Sequence, residues 1–254
     1  MQLIPEARLI LTLLEKRKLR EKEGLFVIEG EKLVSEGLDQ IKFLLYSQNL
    51  PIISLAQEKN IQVYKVSRPV MEKISSVETP PGVIAVAKIK NRLTGELLAN
   101  ENPLILGAVE IQDPGNLGTM LRVVDAVAGS GVITSRGTVD LYNPKVVRST
   151  MGSIFRVPVI QSQDIAETIK ELKEKKIKII GSDLSAKKFH WDTDFTKPSM
   201  LLIGNESAGL SSDILELCDE TVKIPMPGRA ESLNAAMAAS VILYEALRQR
   251  NLRG

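Results

Sequence analysis

Three stretches of this 254-residue sequence set polar side chains beside glycine in a way that plain connections do not need: 112–122 (QDPGNLGTMLR), 204–210 (GNESAGL) and 225–234 (PMPGRAESLN). Together they hold Asn116, Arg122, Asn205, Glu206, Arg229, Ser232 and Asn234. Taken singly, each is explained as a turn, with Ser232 as a helix N-cap. Three of them in one domain, within residues 112–234, point to a shared site. None is a phosphate loop of the G-x-x-x-x-G-K-[ST] kind, and none is G-x-G-x-x-G. Glu206 lies in the most glycine-rich of them, where a carboxylate would repel a phosphate. A neutral or cationic ligand fits better, and a sulfonium cofactor meets that condition.

Each stretch follows a strand-like run: LILGAVEI, MLLI and TVKI. In open α/β sheets, ligands sit beyond the carboxyl ends of the strands, where loops offer backbone groups and the next helix its N-terminus. The same alternation runs through the chain. An amphipathic helix is predicted over 5–19, followed by the strand-like FVIEG, KFLLYS, QVYKV and GVIAVAKI, with helical windows at 31–38, 53–59 and 69–74. Residues 90–103 lose periodicity and collect Asn, Gly and Pro, which reads as a linker between domains 1–97 and 98–254. Beyond it GVIT, RVPVI and IKIIGSD join the three strands above, which predicts an α/β fold with a mostly parallel sheet covered on both faces. The last helix is predicted from Ser232 to about Arg250, with Leu233, Met237, Val241, Tyr244 and Leu247 as a buried stripe.

Composition narrows the chemistry. With 44% apolar and 25% charged residues and a net charge of +2, the chain reads as a globular protein, not a disordered one. No run approaches the ~20 apolar residues of a membrane helix. The N-terminal charges follow the apolar run and no small-residue cleavage site appears, so a cytoplasmic protein without membrane contact is expected. One cysteine, Cys218, and one histidine, His190, exclude an internal disulfide, multi-Cys or multi-His metal sites and most Ser-His or Cys-His nucleophiles. Cys218 reads as a small buried residue, and His190 and Trp191 as surface packing. The overall charge by itself argues against nucleic acid.

The loop residues reverse that last expectation. Asn116–Arg122 (NLGTMLR), Gly204–Leu210 (GNESAGL) and Ile224–Asn234 (IPMPGRAESLN) resemble the three motifs of the SpoU (TrmH-type) RNA ribose 2′-O-methyltransferases of the SPOUT superfamily. Residues 143–158 (NPKVVRSTMGSIFRVP) are similar to that family as well. Lys18-Leu-Arg20 followed by GLFVIEG resembles the substrate-binding domain often fused ahead of the enzyme. The resemblance spans nearly the whole chain. It implies a small N-terminal α/β domain like that of kink-turn-binding ribosomal proteins, then a SPOUT α/β domain with a trefoil knot near residues 200–240. It further implies S-adenosyl-L-methionine as cofactor and a homodimer formed through the C-terminal domain.

Carried over residue by residue, the catalytic set is Asn116, Arg122, Glu206, Ser232 and Asn234. The cofactor is expected at Leu202, Gly204, Ile224, Met226 and Leu233, held largely by backbone. The departure from the family pattern is Ala235, where a bulkier aliphatic is common; it bears on packing. Methyl transfer to a ribose 2′-OH asks mainly for alignment, worth up to ~7–11 kcal/mol. A guanidinium does not give up its proton near neutral pH. Arg122 is therefore expected to bind the adjacent phosphate or the developing alkoxide, unless it is an exposed helix residue paired with Glu110 or Asp125.

For RNA, the run 16–22 (KRKLREK) beside the matching motif makes Lys16, Lys18 and Arg20 phosphate contacts, with Arg148 nearer the site and Arg136 and Lys145 as further candidates. Residues 1–100 hold 15 Lys+Arg against 12 Asp+Glu, so the positive excess lies in the front domain. Ribosomal RNA is the expected substrate. Transfer RNA, or a non-catalytic RNA-binding assembly factor of the same fold, are the alternatives. No metal is expected.

Overall fold

The structure, a computed structural model, describes residues 3–251. It forms two compact units, residues 3–91 with 140–155 and residues 92–139 with 156–251. The first begins with α1 (Pro5–Glu15), α2 (Arg17–Glu23), β1 (Leu25–Glu29), α3 (Glu31–Glu36), β2 (Ile41–Tyr46), α4 (Pro51–Glu58), β3 (Gln62–Lys65), α5 (Arg68–Ile74) and β4 (Val83–Lys88). The predicted single helix over 5–19 is two, broken where Lys16 turns extended at φ −109°, ψ 100°. The strands pair in the order β1-β4-β2-β3, antiparallel except β2–β3.

The apolar runs of this sheet bury both faces because successive side chains point opposite ways. Leu25, Val27, Ile84 and Val86 pack under α1 and α5, against Ile10, Leu13, Met71 and Ile74. Phe26, Ile28, Ala85 and Ala87 pack on the other face with Leu33, Val34, Ile52 and Ile53 of α3 and α4, and with Val147 and Phe155. Those last two residues explain why 140–155, far along the chain, packs with this unit.

The chain continues through α6 (Thr94–Leu97), β5 (Leu104–Ala108), α7 (Pro114–Ala126), β6 (Gly131–Thr134), α8 (Pro144–Ser149), α9 (Ser153–Arg156), β7 (Val159–Gln161), α10 (Ile165–Glu174), β8 (Lys178–Ser182), β9 (Lys188–Phe189), β10 (Ser199–Ile203), α11 (Ser212–Leu217), β11 (Glu220–Lys223) and α12 (Ala235–Asn251). The second unit's sheet has the order β7-β6-β5-β10-β8-β11-β9, and its described pairings are all parallel. Parallel pairing sends every strand's carboxyl end to one edge, so the loops after β5, β8, β10 and β11 gather there.

The last helix departs from its predicted orientation. Its buried residues are Ala235, Ala236, Ala239, Ile242, Leu243 and Ala246, and it packs on α7 and β10. The expected core stripe faces outward: Met237, Val241 and Tyr244 are 61%, 39% and 52% exposed. Alanines let the backbones approach closely, and helical spacing reports a stripe without saying whether this chain covers it. No helix among the described residues is long and apolar enough to cross a membrane.

Candidate functional site

The site grows from the first turn of α7. Asp113 caps that helix by accepting Asn116 N–H at 2.8 Å, and Pro114 occupies its first turn, where a missing N–H costs nothing. The amides of Gln112 and Asp113, just ahead of the helix, point to the 204–210 loop. They donate to the two carboxylate oxygens of Glu206, each at 3.1 Å. Asn116, 7% exposed, adds its Nδ2–H at 2.8 Å to Oε1. Asn234 Nδ2 in turn donates to Asn116 Oδ1 at 2.8 Å. One hydrogen-bonded row, Asn234–Asn116–Glu206, thus ties together three loops that lie up to 118 residues apart in sequence.

Each link has a local cause. Asn234 caps α12 by accepting Ala236 N–H and Met237 N–H, so the helix starts at Ala235 and Ser232 is not its cap. The 204–209 turn is closed by the reciprocal Asn205–Gly209 bridge. A Cβ on Gly204 would overlap the Gly209 carbonyl and Leu210 N, and Gly209 sits at φ +70°, so both positions need glycine. Burial pushes the Glu206 carboxyl up, but hydrogen bonds from Asn116, Asp113 and Gln112 outweigh it and hold the group below its usual range. An ionised Glu206 is also favoured by the positive end of the α7 dipole.

Beside this row lies a cavity of about 230 Å³ at the carboxyl edge of the sheet. Four of the five residues expected to hold the cofactor line it: Gly204, Ile224, Met226 and Leu233. The fifth, Leu202, is fully buried within β10 and supports the wall from behind. Glu206 and Ser232 also face the cavity. Sequence reasoning missed Ser182, Asp183, Leu184 and Lys223, which line it too. The signal was present, since IKIIGSD ends in Gly-Ser-Asp at a strand's carboxyl end, as the other loops do.

The cavity fits the implied cofactor on its own chemistry. It combines apolar Ile203, Leu210, Ile224 and Leu233 for a flat base with Asp183 and Glu206 for a cation. It has a glycine-lined wall that a ligand can approach closely. Its single cation, Lys223, stands 5.6 Å from the centre of the Phe189 ring. No group of three or more metal-ligating side chains occurs among the described residues.

Other expected residues fall elsewhere. Arg122 is exposed on α7 and has no hydrogen-bond or ion-pair partner among the described residues. Asp125, one partner considered for it, is bound by Arg156 at 2.7 Å. In the first unit Lys16 and Lys18 are exposed. Arg20 contradicts its expected role: it is 5% exposed, pairs with Asp140 at 2.6 Å and donates to the carbonyls of Leu13 and Leu14. A guanidinium committed in this way is not a phosphate contact. Arg148, half-buried, donates to Ser76 Oγ at 2.5 Å, and Ser76 donates to the buried Glu29. His190 is 7% exposed rather than on the surface, while Trp191 is 48% exposed.

In the second unit's parallel sheet, the loops after β8, β10 and β11 line one cavity at the carboxyl edge, and the loop after β5 is tied to them through Glu206. The chain belongs to the SpoU rRNA methylase family, whose model matches residues 103–244. A model described as an MRM3-like substrate binding domain matches residues 9–85. A 23S rRNA (uridine(2479)-2′-O)-methyltransferase of Streptomyces viridochromogenes is 35% identical over 251 residues, covering 94% of this chain and 88% of that protein. The 23S rRNA (guanosine(2553)-2′-O)-methyltransferase RlmP of Bacillus subtilis is 35% identical over 234 residues, covering 91% and 92%. The crystal structure of the SpoU methyltransferase AviRb from Streptomyces viridochromogenes, in complex with the cofactor AdoMet, superposes with a TM-score of 0.88 at 32% identity. That match covers 98% of this chain and 99% of the other. The protein is a methyltransferase of this family, and S-adenosylmethionine is its cofactor.

Proposed function

We propose that this protein methylates a ribose 2′-OH of ribosomal RNA in the cytoplasm, working as a homodimer, with the domain at residues 1–97 binding the RNA and that at 98–254 catalysing the transfer. The observation that carries the reading is the Asn234–Asn116–Glu206 row beside the glycine-walled cavity. Both relatives described above are named for 23S rRNA, which favours ribosomal over transfer RNA; one is named for a uridine and the other for a guanosine.

When bound, S-adenosylmethionine supplies an electrophilic methyl on a positive sulfur. Gly204, Ile224, Met226 and Leu233 hold it by backbone and apolar contact, with Leu202 behind them. Glu206 stays ionised and offers negative charge toward a sulfonium while holding the start of α7 in place. Asn116 and Asn234 fix the distance between that carboxylate and the third loop. Ser232, exposed at the cavity wall, is placed to hydrogen-bond the ribose. Arg122 lies six residues from Asn116, about 240° around the helix, and meets an RNA phosphate or a second copy's site. Lys16, Lys18 and Arg148 contact RNA phosphates.

The homodimer rests on the outward stripe of Met237, Val241 and Tyr244 at helical spacing on α12, an apolar face suited to its own copy. Tyr244→Glu is expected to give a monomer in sedimentation. Calorimetry with S-adenosylmethionine, followed by mapping of ribose methylation in ribosomal RNA with and without the protein, tests the activity. Saturable binding and one protein-dependent site are expected. No heat at millimolar cofactor overturns the reading.

A further inference from the structure

We infer that Asn205 is a positioning residue for the Glu206 carboxylate, acting through a backbone kink at Glu110 that its side chain holds in place. This rests on the reading of Glu206 as part of the methyl-transfer site.

The kink is an outlier. Glu110 has φ +54°, in the left-handed region that residues with a Cβ rarely occupy. It follows the end of β5 at Ala108 by two residues, and two more lead to the Gln112 and Asp113 amides that bind Glu206. The direction of those amides therefore depends on the backbone at Glu110. Its own side chain is exposed, and no hydrogen bond or ion pair holds it among the described residues. Both of its backbone groups are held. Glu110 N–H donates to Ser135 Oγ at 2.8 Å, and its carbonyl accepts Asn205 Nδ2–H at 2.9 Å.

Asn205 faces both ways. Its Oδ1 accepts the amides of Ser207 and Ala208 at 3.0 and 3.1 Å, which shapes the turn carrying Glu206. Its Nδ2 grips the kink that aims the donors of Glu206. One side chain thus registers the acceptor loop against the donor loop. Without the Nδ2 grip, Glu110 is free to relax toward an ordinary φ, and the Gln112 and Asp113 amides turn away from the carboxylate.

A substitution pair separates this role from simple support of the 204–209 turn. Asn205→Asp keeps the Oδ1 acceptor and the side-chain shape but removes the Nδ2 donor. Glu110→Gly allows φ +54° without steric cost, so it removes the drive to relax. Amide exchange of Gln112 and Asp113, followed by NMR in the full chain without RNA, reads the geometry directly. In Asn205→Asp both amides are expected to exchange at least tenfold faster. In Asn205→Asp combined with Glu110→Gly they return to within threefold of the rate in Glu110→Gly alone. Methyl transfer is expected to follow, with kcat reduced at least tenfold in Asn205→Asp, the KM for RNA within threefold, and kcat recovered by the added glycine. If Asn205→Asp does not fold, Asn205→Ser replaces it in the same cycle. Unchanged amide exchange on loss of the donor, or exchange that stays fast after Glu110→Gly is added, overturns the inference. A protein that methylates no RNA overturns the proposed function instead, and the exchange data still decide this point.

Discussion

In the first unit, Arg20 is 5% exposed, pairs with Asp140 at 2.6 Å and also donates to two main-chain carbonyls. In the second unit, Arg122 is exposed on α7 and has no hydrogen-bond or ion-pair partner among the described residues. Both arginines sit in motifs that resemble functional ones, and sequence alone treats them alike. Burial separates them. A guanidinium withdrawn from water must be satisfied inside the fold, and so cannot also serve a ligand. An exposed one keeps its donors for whatever arrives. The same contrast holds for carboxylates: Asp140 is tied to a cation, whereas Glu206 is held by neutral donors that leave its charge uncancelled.

The contrast predicts a graded set of effects. The largest belongs to Glu206→Gln, which keeps shape but removes the charge and one acceptor. Single-turnover methyl transfer is expected to fall about 100-fold or more, in the range of losing a preorganised polar group. Next, Arg20→Met leaves Asp140 without its cation and is expected to cost about 3–5 kcal/mol in denaturant unfolding. Arg122→Met should stay within about 0.5 kcal/mol of the parent while turnover drops. Stability losses of equal size at the two sites would erase the distinction. Arg122→Lys sharpens it further: restored turnover means that charge matters more than the guanidinium fork.

Smaller effects follow. Replacing Lys16 and Lys18 together should lower the salt dependence of RNA binding by about one unit of slope each. The pH dependence of the second unit has a defined sign. Glu206 is held below its usual range, so its contribution is complete above the ordinary carboxylate pKa of ~4.3 and is lost as pH falls through the lowered value. Thermal unfolding from pH 7 down to 3 should lose part of its acid dependence in Glu206→Gln. Smallest is Cys218, whose thiol burial pushes up to about 11, so alkylation in the native protein at pH 8 should be slow beside that of the unfolded chain.

How much of this was legible in the sequence differs between strands, loops and helix faces. The strands were legible because short, turn-bounded apolar runs such as LILGA and MLLI suit strands buried on both faces of a covered sheet. The residues of the Asn234–Asn116–Glu206 row were legible as types and motifs, but their bonding was not, since it joins side chains up to 118 residues apart. The direction of the α12 stripe was illegible for a different reason. Its inner face is mostly alanine, which hydropathy ranks low but which permits the closest approach. Arg20 looked like part of a cationic run until Asp140, 120 residues away, supplied its partner. Asp183 and Lys223 went unnoticed because each is a common surface residue type, given meaning only by the strand end that carries it.

The excursion of residues 140–155 into the first unit also sets an order of events on the ribosome. The face of the first sheet that carries Phe26 and Ile28 is completed by Val147 and Phe155. When residue 91 has been made, that face still lacks part of its cover, and it gains it only after β5, α7 and β6 have been synthesised. At ~5–20 residues per second the delay is on the order of 3–13 seconds, long compared with the collapse of a small domain. The N-terminal unit, although first in sequence, is therefore complete only once residue 155 has been made, and a fragment ending at residue 91 is expected to expose an apolar surface that the whole chain hides.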